Sequence, residues 1–199
     1  MPLASKLQKF STASPLVASY DWADVANGFG YIEFYPAITD NSTTDYLLLT
    51  KPLATKTKMY ARQNNNTTFT FDSSVFNSPR TVKGIAIVSG ALYAANTTAT
   101  ITAHFYKYSG GETSISSDVG TASYTPTVNS DTNYLFNVPL TETNFAAGDN
   151  LRVKITFTAG TNAVHFGISP DGSNDAASAI LFNDVSPQLK IQVPFKIEV

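Results

Sequence analysis

Cysteine is absent from this 199-residue chain, so the fold has no disulfide to lean on and no thiol to offer a metal or a substrate. Charge is scarce too. Asp, Glu, Lys and Arg together make 14% of the residues, against roughly 25% in ordinary soluble proteins. A net charge of −2 provides neither a basic surface for nucleic acid nor an acidic tail. Long apolar runs are missing: nothing approaches the ~18 residues that cross a bilayer. The first twenty residues, which carry Lys6 and Lys9, lack the apolar stretch of about 7–15 residues that a signal peptide needs. The expectation is synthesis in a cytoplasm, with no membrane and no nucleic-acid partner. Four tripeptides match the glycosylation acceptor pattern (from Asn41, Asn65, Asn66 and Asn96), as chance supplies in so Thr-rich a chain.

What replaces the charge is Thr, Ser and Asn, with 13 Phe and 10 Tyr. Threonine and aromatics suit pleated, half-buried surfaces, so the composition points to β-structure. Residues 1–20 show no period and read as an extended arm. Residues 21–28 look like a short helical turn, capped by Asp21 and ended by Gly28. From residue 30 onward, alternating runs separated by turn residues predict strands at 31–35, 46–50, 67–71, 81–95, 98–108, 133–140 and 151–158. Gly84 and Gly90 inside the long run suggest a bulge or bend. The last eleven residues alternate strictly: Leu189, Ile191, Val193, Phe195, Ile197 and Val199 on one face. Pro194 cannot donate to a ladder, so this strand is expected at a sheet edge or at a bulge. The whole predicts an all-β chain: residues 1–29 an N-terminal arm, and residues 30–199 an antiparallel two-sheet β-sandwich. A jelly-roll-like topology is the first choice and an immunoglobulin-like one the second.

Chemistry is hard to find. The two histidines, His104 and His165, fall in predicted strands, and no serine sits in a nucleophile elbow. No phosphate loop or dinucleotide fingerprint is present. The expectation is therefore no enzyme, no catalytic residue and no cofactor. One loop holds oxygen ligands at close spacing, Asp171, Asn174 and Asp175, which is either a weak calcium candidate or a plain polar turn. Lys51, Lys56, Lys58 and Arg62 form a stretch without acids, whereas 108–151 carries Glu112, Asp118, Asp131, Glu142 and Asp149 without a base. These are either complementary patches that steer association or merely solvated loops. Trp22, Tyr60, Tyr93, Tyr106, Tyr108 and Tyr124 exceed what a core requires. Tyr106 and Tyr108 lie on the strand face opposite Ile101 and Phe105, open to solvent unless a partner covers them.

Three stretches carry a resemblance. Residues 20–35 open Tyr20-Asp21-Trp22-Ala23-Asp24 and close Tyr31-Ile32-Glu33-Phe34-Tyr35, with 45–50 after them. Residues 105–113 begin Phe105-Tyr106-Lys107-Tyr108, and residues 140–153 surround Asn144-Phe145-Ala146-Ala147-Gly148-Asp149. Together they resemble small virion structural proteins of tailed bacteriophages, of the type that decorates heads or anchors head fibres. That resemblance implies a jelly-roll-like sandwich, self-association (often as trimers), and binding to the outside of a major capsid protein lattice or to neighbouring virion proteins. It brings no catalytic residues. It brings no contact residues either; the chain's own basic and aromatic side chains suggest Lys6, Lys9, Trp22, Lys51, Lys56, Lys58 and Arg62 for such a role. The rival expectation is a carbohydrate-binding module of a tail or fibre, using Tyr106 and Tyr108 as stacking platforms.

Overall fold

The computed structural model describes residues 29–38, 46–51, 60–63, 67–93, 97–109, 115–128, 132–159, 164–168 and 188–196. Residues 1–28 of the expected arm, with its helical turn, lie outside these residues, as does the oxygen-rich loop at 171–175; Phe29 already belongs to the first strand. Every regular element among the described residues is a strand. They are β1 (Phe29–Ile38), β2 (Tyr46–Leu49), β3 (Tyr60–Gln63), β4 (Thr67–Ser73), β5 (Arg80–Tyr93), β6 (Thr97–Ser109), β7 (Ile115–Tyr124), β8 (Thr127–Val128), β9 (Thr132–Phe145), β10 (Asp149–Ala159), β11 (Val164–Gly167) and β12 (Lys190–Lys196).

Each predicted run coincides with a strand over most of its length, because alternation is what a half-buried strand shows. In β10 the burial alternates residue by residue, with Leu151, Val153, Ile155 and Phe157 inward. Arg152, Lys154 and Thr156 lie on its other face.

One continuous ladder joins the strands in the order β3-β11-β5-β12-β1-β2-β4-β10-β6-β7, with β9 on the other edge of β5. It has two halves, and β1 belongs to both. Its residues from Phe29 to Phe34 pair with β12, and those from Tyr35 to Ile38 pair with β2. The pairing is not purely antiparallel as expected. β2 runs parallel to β4, with Leu47 opposite Asp72 and Leu48 opposite Ser73. The sheet is mixed.

The halves turn their apolar faces onto a common core. Phe157 of β10 stacks on Phe166 of β11 with ring centroids 3.8 Å apart. Phe76 meets Phe145 and Phe195 edge to face, at 5.3 and 5.8 Å. Phe34, Phe71, Phe105, Phe145, Phe157 and Phe166 are all fully buried. At about 2–3 kcal/mol for each large side chain removed from water, this interior supplies the stability that disulfides cannot. On the far side, β7 comes against β9 without a ladder. A Cβ on Gly120 would run into the Pro139 carbonyl oxygen, and Tyr124 stacks on Phe136 at 6.0 Å. Gly120 lets two backbones touch.

Pro194 corrects one expectation and supports another. The strand that carries it is central, with β1 on one side and β5 on the other. The missing N–H is accommodated by an irregularity. The β12–β5 register shifts between Gln192 and Phe195, where three steps along β12 face five along β5 (Ile87 to Val82). Gly84, inside that excess, has a φ of +121°, and a Cβ there would lie 3.4 Å from the Pro194 ring. The bulge expected at Gly84 therefore exists, and it is what lets a proline sit inside a sheet. Gly90 serves differently, admitting the Tyr134 hydroxyl, which would stand 2.6 Å from a Cβ.

Candidate functional site

The ladder leaves two outward faces, and each carries part of what the sequence singled out. On the β4–β10–β6–β7 half, outward polar groups find partners across the strands. Thr68 pairs with Thr156 at 2.8 Å, Thr102 with Ser123 at 2.7 Å, and Thr100 with Thr125 at 2.9 Å. Arg152 donates twice to Asp72, each bond 2.6 Å, and its guanidinium lies 3.7 Å over the Tyr108 ring. The hydrogen bonds to Asp72 hold the guanidinium above its usual pKa, against the opposing effect of burial.

Tyr108 is therefore not solvent-facing. It is only 4% exposed, covered by its own chain. Tyr106 is half-buried. Its ring stacks on His104 at 4.1 Å, its hydroxyl lies 2.7 Å from His104 Nδ1, and Lys154 Nζ stands 5.1 Å from the ring centre. Burial, then the Asp118 charge, raises its phenol. His104 Nε2 lies 2.9 Å from Asp118 Oδ2, close enough for an ion pair but not aligned as a hydrogen bond. The stacking platform expected at Tyr106 and Tyr108 is thus occupied from within.

The acid-rich segment is likewise matched in its described part. Asp118 faces His104, Glu142 pairs with Lys83 at 2.8 Å, and Asp149 meets Lys107 at 3.0 Å. Burial pulls the Asp149 carboxyl up, but the Ala146 amide, the Lys107 ammonium and the Ser109 hydroxyl outweigh it and hold it below the usual range. Of the expected basic cluster, Lys51 is exposed just after β2. Arg62 lies on β3 opposite His165, with four strands between it and β2 along the ladder. Lys6, Lys9, Trp22, Lys56 and Lys58 lie outside the described residues.

The other face, over β9, β5, β12 and β1, differs. Register places Ile85 opposite Pro139, Ile87 opposite Asn137 and Ser89 opposite Leu135. Ile85 is 48% exposed and Leu135 is 62% exposed. At one end of this face an open groove of about 420 Å³ is lined by Ser89, Gly90, Asn133, Tyr134, Leu135, Gln188 and Lys190. Beside it, Glu33 accepts hydrogen bonds from Tyr35 and, at 3.1 Å, from Gln192, and lies 3.7 Å from Lys190 Nζ. Burial pulls Glu33 up, yet these three partners hold it below the usual range. The hydrogen bond to Glu33, then burial, pushes the Tyr35 phenol up to about 12. Sequence reasoning missed this face, since its residues come from three distant segments. The apolar Ile85, Ile87 and Leu135 at outward positions of their strands were the available signal.

Among the described residues no group of His, Asp and Glu is gathered as a metal would require. No helix of the described residues is long and apolar enough to cross a membrane.

No protein-family model matches the sequence, and no curated protein matches it. The fold is distantly similar to parts of larger solved proteins. An α-amino acid ester hydrolase shares 10% identity over 83% of this chain and 35% of that one, with a TM-score of 0.47. A CocE/NonD family hydrolase from Staphylococcus aureus shares 8% over 85% and 34%, TM-score 0.47. An aminopeptidase from a marine sediment Thaumarchaeota archaeon shares 7% over 66% and 26%, TM-score 0.46. The chain spans about a third or less of the length of these structures. Likeness at this level bears on neither activity nor substrate.

Proposed function

We propose that this chain is a non-catalytic assembly domain: a jelly-roll-like β-sandwich that takes its place in a virus particle by docking protein against protein. The observation that carries the reading is the apolar strip on the outer face of β5 and β9. Ile85 and Leu135 stand 48% and 62% exposed there, with Ile87 and Pro139 beside them. Exposed apolar side chains gathered on one rigid sheet face are what a partner surface buries first. On the outer face of β4, β10, β6 and β7 hydroxyls and charges pair with one another, which suits a part that must stay soluble until it meets its neighbour.

The meeting of β7 and β9 over a shared core supports the sandwich reading. The likeness of residues 20–35, 105–113 and 140–153 to head-decorating and fibre-anchoring proteins supports the place in the virion. In this role the chain self-associates, as a trimer by preference, and lies on the capsid exterior against the major capsid protein or a neighbouring virion protein. Mass spectrometry of gradient-purified particles tests the role. The chain should appear in a fixed ratio to the major shell protein, and its absence from washed particles would overturn the proposal.

A further inference from the structure

The groove at the end of the β9–β5–β12 face has a character that protein docking leaves unexplained. Its walls carry two carboxamides (Asn133 and Gln188), one hydroxyl (Ser89), one ammonium (Lys190) and the methyls of Leu135. No side-chain hydrogen bond ties Ser89, Asn133 or Gln188 to another described residue, whereas the threonines of the opposite face are paired. Lys190 is already matched, with Glu33 at 3.7 Å and the Tyr35 ring at 5.7 Å, so the groove offers little net charge to an anion. Tyr134 keeps its ring buried, so the floor at Gly90 and Tyr134 is mainly backbone.

These features select a ligand class. A carboxamide both donates and accepts, which matches a molecule whose hydroxyls do the same. The branched methyls of Leu135 suit the C–H face of a ring. Three strands at about 4.8 Å spacing and three residues along each give a floor roughly 10 Å by 7 Å. That is the footprint of one or two sugar rings and too short for an extended peptide. The volume falls within the span of about 300–1,000 Å³ usual for small-ligand sites. We infer that this groove binds a neutral oligosaccharide, held by Asn133, Gln188 and Ser89 against Leu135. The groove shares Leu135 with the docking strip, but the two separate at Ile85, which lies four residues along β5 from Ser89, about 13 Å away.

The full chain, applied to an array of neutral oligosaccharides and titrated by NMR with the strongest hit, should shift the side-chain amide signals of Asn133 and Gln188 and the Leu135 methyls. Asn133→Ala and Gln188→Ala should each weaken binding about five-fold, the worth of one neutral hydrogen bond, and Tyr106→Phe should leave it unchanged. Ile85→Lys should keep full sugar affinity, so failure of the groove and failure of the docking strip are read separately. A silent array at millimolar concentration would overturn the inference, as would binding indifferent to both amide variants. A peptide array that responds through the same two amides would reassign the groove to polypeptide and overturn it too.

Discussion

The two outward faces of this sheet are built from similar alphabets and end in opposite states. Over β4, β10, β6 and β7, hydroxyl meets hydroxyl, Arg152 grips Asp72 and covers Tyr108, and His104 is held between Tyr106 and Asp118. Over β9 and β5, Ile85 and Leu135 stand in solvent and Ser89 and Asn133 have no side-chain partner among the described residues. The contrast continues inward. On the first half the turned-in Lys107 has Asp149 beside it and His104 Nε2, though not hydrogen-bonded, lies 2.9 Å from Asp118, whereas on the second the buried Tyr134 hydroxyl has no hydrogen-bond partner. A face whose groups satisfy one another contributes stability and has little left for a partner. A face with groups left over gives up some stability and keeps the means to bind.

Substitutions can break that contrast. The largest effect is expected from Arg152→Ala, which removes two charge-assisted hydrogen bonds and uncovers Tyr108. Chemical denaturation should show a loss of about 3 kcal/mol, with association through the β5–β9 face intact. Loss of association with little change in stability would place the binding face on the wrong side of the sheet.

Next is Asp149→Asn, expected to cost about 2 kcal/mol at neutral pH because Lys107 loses its counter-charge. The sign with pH follows from the direction of the shift. A carboxyl held below its ordinary value of 3.8 lends stability that is fully present well above that value and fades as pH falls through the depressed folded one. Below about pH 4 the native chain should therefore lose part of its advantage, and the asparagine variant should show a flatter acid limb. Parallel acid limbs would remove Asp149 from the account.

The smallest effect carries the opposite sign. Burial pushes the Tyr134 phenol up, and its hydroxyl presses toward Gly90 without a partner. Tyr134→Phe removes a polar group that pays desolvation for no bond, and thermal denaturation should show a gain of about 1 kcal/mol. A loss instead would mean the hydroxyl is satisfied.

The sequence made the half-buried strands legible. Alternation in β10, β6 and β12 marks the core face directly, because a strand with one wet side must alternate. It failed where the deciding residue sits on another strand. Pro194 reads as either an edge or a bulge until Gly84, 110 positions earlier, is seen to bulge opposite it. Tyr108 reads as exposed because nothing in 98–108 announces Arg152. β7 escaped notice since Ser116, Ser117 and Asp118 supply little apolar signal, and its inward contribution to the core is chiefly Val119. The acid run at 108–151 was visible, but its bases, Lys83, His104 and Lys107, lie in segments that only the ladder brings alongside. The groove drew on residues 89, 133 and 188, a grouping no local pattern could show.

Sedimentation velocity on the full chain, beside Ile85→Lys/Leu135→Lys and Thr102→Lys/Ser123→Lys pairs, tests the difference between the faces most directly. The native chain and the Thr102/Ser123 pair should sediment as the same oligomer, and the Ile85/Leu135 pair as a folded monomer. If the native chain ran as a monomer at all concentrations, or if only the Thr102/Ser123 pair dissociated, the exposed strip on β5 and β9 would not be the surface through which this protein assembles.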